Sequence, residues 1–166
     1  MPVGYLWGHD NSLPIAEIKN GTAEEAFYTS FEEGGDLFTD ASGSLARTGL
    51  KVTNSTTYTF PAEYAPIESN TLMSYWYWEN NQWNFSGVIP FQRTITTSGS
   101  RIDEVRAFPK GAQMTTFTHL LMVGISSQTD ANNQTTYYEY DEMSRLKLIR
   151  DSNKKIVKSY EYAYKR

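Results

Sequence analysis

Residues 135–162, TTYYEYDEMSRLKLIRDSNKKIVKSYEY, constrain the fold more than any other stretch of the chain. Two runs rich in Tyr, Leu and Ile, residues 135–140 and 145–150, flank the polar break Asp141-Glu142-Met143-Ser144. A third run, residues 155–162, follows the break Asp151-Ser152-Asn153-Lys154. Short β-prone runs punctuated by Asp, Asn and Ser read as consecutive β-hairpins. The same rhythm occurs upstream. A displacement of 21 residues lays Phe117-Thr118-His119 on Tyr138-Glu139-Tyr140, Ile125 on Leu146, Asp130 on Asp151 and Asn132 on Asn153; a further copy, Tyr160-Glu161-Tyr162, arrives one residue late. Units this short cannot bury a hydrophobic face alone, so they stack into a sheet whose neighbours complete the core.

Tyr140-Asp141, Arg145-Leu146 and Asp151-x-Asn153 resemble the tyrosine–aspartate pair, the GRL phrase and the DxxG turn of the YD repeat in the bacterial Rhs family of cell-surface proteins. Ser144 and Lys154 stand where that family has glycine, so both turns must form without a residue that enters positive φ freely. Asn153 is expected to take the left-handed position, since Asn tolerates it better than Lys. The phrases Gly4-Tyr5-Leu6-Trp7-Gly8 and Leu13–Lys19 also resemble Rhs sequence. The resemblance implies an extracellular or cell-surface location. It further implies that the chain is the carboxy-terminal piece of a longer Rhs-type protein, or a free-standing relic of one.

The composition agrees with β-structure. Twelve Tyr, eight Phe and four Trp among 166 residues, with no sustained 3.6-residue periodicity, point to an all-β protein. There is no cysteine, which excludes disulfides and thiolate metal sites. No stretch reaches the roughly 20 apolar residues of a membrane-spanning helix. Charge is uneven: residues 1–144 carry a net −10 and residues 145–166 a net +6. Lys147, Arg150, Lys154, Lys155 and Lys158 are spread over strands and a turn as solvated residues, where edge lysines prevent stray pairing. No nucleic-acid recognition motif accompanies them, and no nucleic-acid partner is expected.

The middle of the chain has a different texture. Between Phe27 and Pro109, strand-like segments recur about every ten residues between Gly, Pro, Asn and Ser, the pattern of a β-sandwich. The phrases SFEEGG, SGSLARTGLKV, TLMSYWYW and RIDEVRAFP resemble galactose-binding-like jelly rolls, the fold of many carbohydrate-binding modules. The expected architecture is therefore all-β, a small jelly-roll-like sandwich inserted into a short YD-repeat antiparallel sheet. Residues 1–26 supply the first strands, residues 27–112 the sandwich and residues 113–166 the hairpins. An inserted guest needs its ends together, so Phe27 should lie near Phe108, and Leu13–Lys19 beside the strands after Thr115. Thr22 and Glu25 form a capping-box phrase that predicts one helical turn.

Catalytic motifs are lacking. His9 and His119 are the only histidines, no GxSxG phrase surrounds a serine, and His119 falls at a tyrosine position of the repeat. Glu32, Glu33, Asp103 and Glu104 could converge as a glycosidase pair, which is a remote alternative to a non-catalytic chain. The jelly-roll resemblance implies instead a structural calcium held by Glu32 and Asp103, with carbonyls from Glu33-Gly34-Gly35 and Ser42-Gly43-Ser44; the bland alternative is solvation, or pairing with Arg101 or Arg106. Binding has the strongest support. Trp76, Trp78 and Trp83 lie beside Asn81 and Gln82, the aromatic plate and amide donors that a glycan needs. On a strand, Trp76 and Trp78 share one face and Tyr75 and Tyr77 the other; one pair fills the core, and Trp83, in a polar loop, is the one expected to be exposed. The expected function is a surface-associated glycan-binding module. The competing expectation is a structural fragment of an Rhs-type shell with no ligand.

Overall fold

The computed structural model describes residues 1–37, 39, 40 and 43–163, and among them there is no α-helix, only a single 3₁₀ turn at Glu68–Asn70. The strands in chain order are β1 (Val3–Gly8), β2 (Leu13–Lys19), β3 (Phe27–Thr29), β4 (Asp36–Leu37), β5 (Thr39–Asp40), β6 (Gly43–Ser44), β7 (Lys51–Val52), β8 (Thr57–Thr59) and β9 (Thr71–Glu79). They continue with β10 (Gln82–Phe85), β11 (Ile89–Pro90), β12 (Thr94–Thr96), β13 (Ile102–Pro109), β14 (Gln113–Leu120), β15 (Gly124–Thr129), β16 (Thr135–Tyr140), β17 (Leu146–Arg150) and β18 (Ile156–Ser159). The protein is all-β, built from several antiparallel sheets.

One sheet has seven strands in the order β1-β2-β14-β15-β16-β17-β18. Five of the six steps across it join sequence neighbours; the exception is the step from β2 to β14, where Ala16 faces Thr116 and Ile18 faces Met114. The residues between form a five-stranded sheet, β10-β9-β13-β3 with β11 on β9. Its first and last strands are partners, with Phe27 opposite Ala107. The two ends of the segment are also tied by Asn20 Nδ2, which donates to the Gly111 carbonyl at 3.1 Å. Both expected proximities are found. Three two-stranded pairs, β4–β7, β5–β6 and β8–β12, lie outside these two sheets.

The 21-residue rhythm is visible as register. Thr116 faces Thr129 in the β14–β15 hairpin and Tyr137 faces Arg150 in β16–β17; a bulge follows Thr118 in one and Glu139 in the other. His119 then faces Ile125, and Tyr140 faces Leu146. The late third copy is accommodated between β17 and β18: Arg150 faces Ile156 but Ile149 faces Lys158, so Val157 is the extra residue. Beyond that bulge Tyr162 resumes the pattern. Its hydroxyl donates to the Leu146 carbonyl at 2.7 Å, as Tyr140 donates to Ile125 at 2.8 Å.

Two expectations are corrected. Residues 22–25 form a turn and not a helix: the Glu25 carboxylate accepts from the Thr22 N–H and hydroxyl, both at 3.0 Å, but β3 starts at Phe27 and its pairing with β13 pulls the chain straight. In the last turn Lys154, not Asn153, is left-handed (φ 62°). The Asp151 Oδ1 atom accepts from the N–H groups of Asn153 and Lys155, which fixes the positive φ at the fourth residue whatever its type.

Two apolar cores sit on opposite faces of the five-stranded sheet. Ile102, Val105, Ala107 and Met73 face Phe60, Tyr64, Phe91 and Ile95, while Ala16, Ile18, Ala26, Tyr28 and Met114 pack between the two sheets. Close aromatic contacts such as Phe60 on Phe91 (5.0 Å) fill the first of these.

Candidate functional site

The region between the sheets is polar beyond its small apolar core. In β13 the pairing with β9 slips between Asp103 and Arg106, and Glu104 has φ 53°. This bulge inserts one residue and turns two consecutive side chains to the same side. Asp103 and Glu104 are accordingly 0 % and 2 % exposed. Glu104 accepts hydrogen bonds from the hydroxyls of Tyr28, Thr48 (2.6 Å) and Thr116 (3.3 Å), and pairs with Arg106 at 3.4 Å. Arg106 continues across to the other sheet, donating to Thr116 Oγ1 and to the carbonyls of Thr129 (3.2 Å) and Asp130 (3.1 Å). Burial, with Glu104 beside it, raises the Tyr28 hydroxyl well above its ordinary pKa and likewise the Asp103 carboxyl.

Asp103 and Glu32, the two residues expected to hold calcium, clamp one segment of main chain. Asp103 Oδ2 accepts from the N–H groups of Arg47 (2.9 Å) and Thr48 (3.1 Å), and Glu32 Oε1 from those of Leu50 (2.9 Å) and Lys51 (2.8 Å). Burial raises the Glu32 carboxyl. Between them Gly49 has φ 61°, and a Cβ there would meet the Glu32 carboxylate at 2.4 Å. Calcium requires six to eight oxygen ligands, whereas these carboxylates face N–H donors. Among the described residues no group of three acidic or histidine side chains is placed to hold a metal. The corner therefore does not fit a calcium ion; Ser42, expected to add a carbonyl, lies outside the described residues. Asp103 and Glu104, named as glycosidase candidates, are sealed from solvent, and Glu33 instead meets His9 at 3.9 Å. His119 is a sheet residue, its Nε2 2.8 Å from the Pro14 carbonyl oxygen.

The tryptophans lie on the β9–β10 hairpin. Its turn, Asn80-Asn81, has φ 53° and 58°, the two left-handed residues of a tight type I′ connection that Asn tolerates. Trp78 faces Trp83 and Trp76 faces Phe85 across the strands. Tyr75 packs against the apolar core, so the tryptophans form the opposite face. All three are half-buried. Trp76 is covered by the Arg47 guanidinium at 4.2 Å, and its Nε1 donates to Asn133 at 3.4 Å. Trp83, expected to be exposed, is turned inward: its Nε1 donates to the Leu45 carbonyl at 3.3 Å, and its ring meets Trp78 edge-on at 5.5 Å. Trp78 borders an open cleft. With Glu79, Asn80, Asn81, Ser98 and Ser100 it lines a cleft of about 500 Å³, while Gln82 is exposed beside it.

Arg47 and Lys154 have no counterpart in the sequence reading as site residues. They line a second cleft, of about 300 Å³, with Tyr137 and Tyr138. The clamp on residues 47–51 places Arg47 and the Asp151 turn places Lys154, and no sequence motif links the two. No family model, no curated protein and no solved structure matches the chain.

Proposed function

We propose that this chain is a non-catalytic, surface-associated binding module that takes a glycan at the tip of the β9–β10 hairpin. The observation that carries this reading is the open cleft of about 500 Å³ in which Trp78 stands among Asn80, Asn81, Ser98 and Ser100. Trp83, edge-on at 5.5 Å, and the Arg101 guanidinium, 5.6 Å from the ring, hold the indole in place. A fixed aromatic plate ringed by amides and hydroxyls suits a sugar, which offers apolar C–H faces and a polar rim. The resemblance to jelly-roll carbohydrate-binding modules and to YD-repeat surface proteins supports the same reading. A glycan array followed by titration tests it. Asn81→Gly keeps the left-handed turn and removes one amide, and with Ser98→Ala it should weaken binding about tenfold, the worth of one or two lost hydrogen bonds. An array with no bound glycan contradicts the reading.

A second reading, a purely structural piece of a larger Rhs-type shell, is favoured by the edge of the seven-stranded sheet. Every residue of β18 is exposed, with Ile156 and Val157 at 55 % and 60 %. Proteins seldom leave such apolar edges uncovered. A shell fragment would bind no glycan and would self-associate unless Val157→Lys blocked that edge.

A further inference from the structure

The cleft of about 300 Å³ is bounded by residues 46–49, by β15 and β16, and by the turn after β17. Arg47 is 7 % exposed there; its guanidinium lies 4.2 Å from the Trp76 ring and 5.7 Å from that of Tyr137, and donates to Thr135 Oγ1 at 3.3 Å. Lys154 is an exposed residue whose ammonium lies over the same Tyr137 ring, 3.1 Å from the centroid. Among the described residues neither cation has a carboxylate within ion-pair distance. The acidic groups nearby are already engaged. Glu139, on the cleft wall, is paired with Arg150, and Asp103 and Glu104 behind Arg47 accept from main-chain N–H groups, hydroxyls and Arg106. Two like charges thus share one polar wall with no carboxylate among the described residues in direct contact. Glu104 and Asp103 act on Arg47, and Glu139 on Lys154, from beyond ion-pair distance. An anion set between the two cations would relieve their repulsion.

We propose that this cleft binds an acidic sugar the size of one hexuronic acid, its carboxylate set between Arg47 and Lys154 and its hydroxyls against Ser126 and Tyr138. The volume is at the lower end of the roughly 300–1,000 Å³ of small-molecule sites, which suits one ring and not a chain. The aromatic and hydroxyl walls select a sugar over a bare oxyanion, and the two cations select its acid form. Screening from water, followed by the repulsion of Arg47, lowers the Lys154 ammonium to about 8; Glu139 opposes that shift and Arg150 adds to it. Affinity for the anion therefore falls as pH rises through this value.

Calorimetric titration of the whole chain with sodium glucuronate, glucose and sodium sulfate tests the site. Lys154→Asn is the informative variant, because Asn133 holds the equivalent left-handed place one 21-residue repeat earlier, at φ 63°. Glucuronate should bind at least about tenfold more tightly than glucose, and Lys154→Asn should remove about that factor together with the pH step. Asn81→Gly, which alters only the hairpin cleft, should leave glucuronate binding unchanged, so the two sites fail separately. The proposal is overturned if glucuronate does not bind, if glucose or sulfate matches it, or if a folded Lys154→Asn chain binds it as wild type does.

Discussion

At the scale of single residues, three turns of the seven-stranded sheet repeat one device. Asp130, Asp141 and Asp151 each accept, through Oδ1, the N–H groups two and four residues ahead. The residue three ahead, Asn133, Ser144 or Lys154, is left-handed. Glycine suits that place, and a side chain there costs about 1–2 kcal/mol, partly offset by the greater freedom glycine loses. Ser144 is exposed and has no packing role; Ser144→Gly should therefore raise unfolding stability by about 1 kcal/mol in urea titrations. The aspartates and their spacing were legible in the sequence. The handedness of Lys154 was not, because side-chain propensity ranks Asn153 ahead of it while the aspartate's two hydrogen bonds decide the matter. Lys154 also gives a pH signature. Its folded value near 8 lies below the ordinary 10.5, so between these the unfolded chain holds more protons and stability rises with pH. The tyrosines act oppositely above pH 10, since burial raises Tyr28, Tyr64 and Tyr58, the last to about 12. The urea midpoint of wild type should rise between about pH 8 and pH 10 relative to that of Lys154→Asn.

At the scale of elements, the bulge in β13 decides which side chains are buried together. Without the extra residue Asp103 and Glu104 would point to opposite faces, and one would enter the apolar core. With it, both are buried together: the N–H groups of Arg47 and Thr48 satisfy Asp103, and Arg106 with the hydroxyls of Thr48, Tyr28 and Thr116 satisfies Glu104. Removing one partner of a buried pair strands the other, at a cost of about 3–5 kcal/mol. Arg106→Met should thus lower stability by that amount, measured by denaturant unfolding, and the double variant with Glu104→Gln should recover part of it. This arrangement could not be read from RIDEVRAFP, since a bulge is a property of the pairing with β9 and not of β13 alone. The hairpin repeat could be read, because turn and strand recur at a fixed interval. Even the late third copy has a physical counterpart in the bulge at Val157. The tryptophan cluster was legible as a group but not by orientation. Strand alternation separates Trp76 and Trp78 from the tyrosines; only the packing of Tyr75 on the core shows which set turns away from it.

At the scale of the whole molecule, the chain leaves the seven-stranded sheet after β2, builds the five-stranded sheet, and returns at β14 beside the strand it left. The charged and hydroxyl-bearing side chains between the sheets then join the two layers. Arg106 spans from β13 to carbonyls of Thr129 and Asp130, and Tyr137 of β16 donates to the Arg47 carbonyl at 3.0 Å. Such contacts make the layers one cooperative unit that holds both clefts at fixed places. Amide hydrogen exchange under native conditions tests this most directly. Met73 and Ala107 in one sheet, and Ile18 and Thr116 in the other, should exchange through a single opening with free energies equal to within about 1 kcal/mol. Exchange of the first pair at a markedly lower free energy, with the second still protected, would show two independent units and contradict the account.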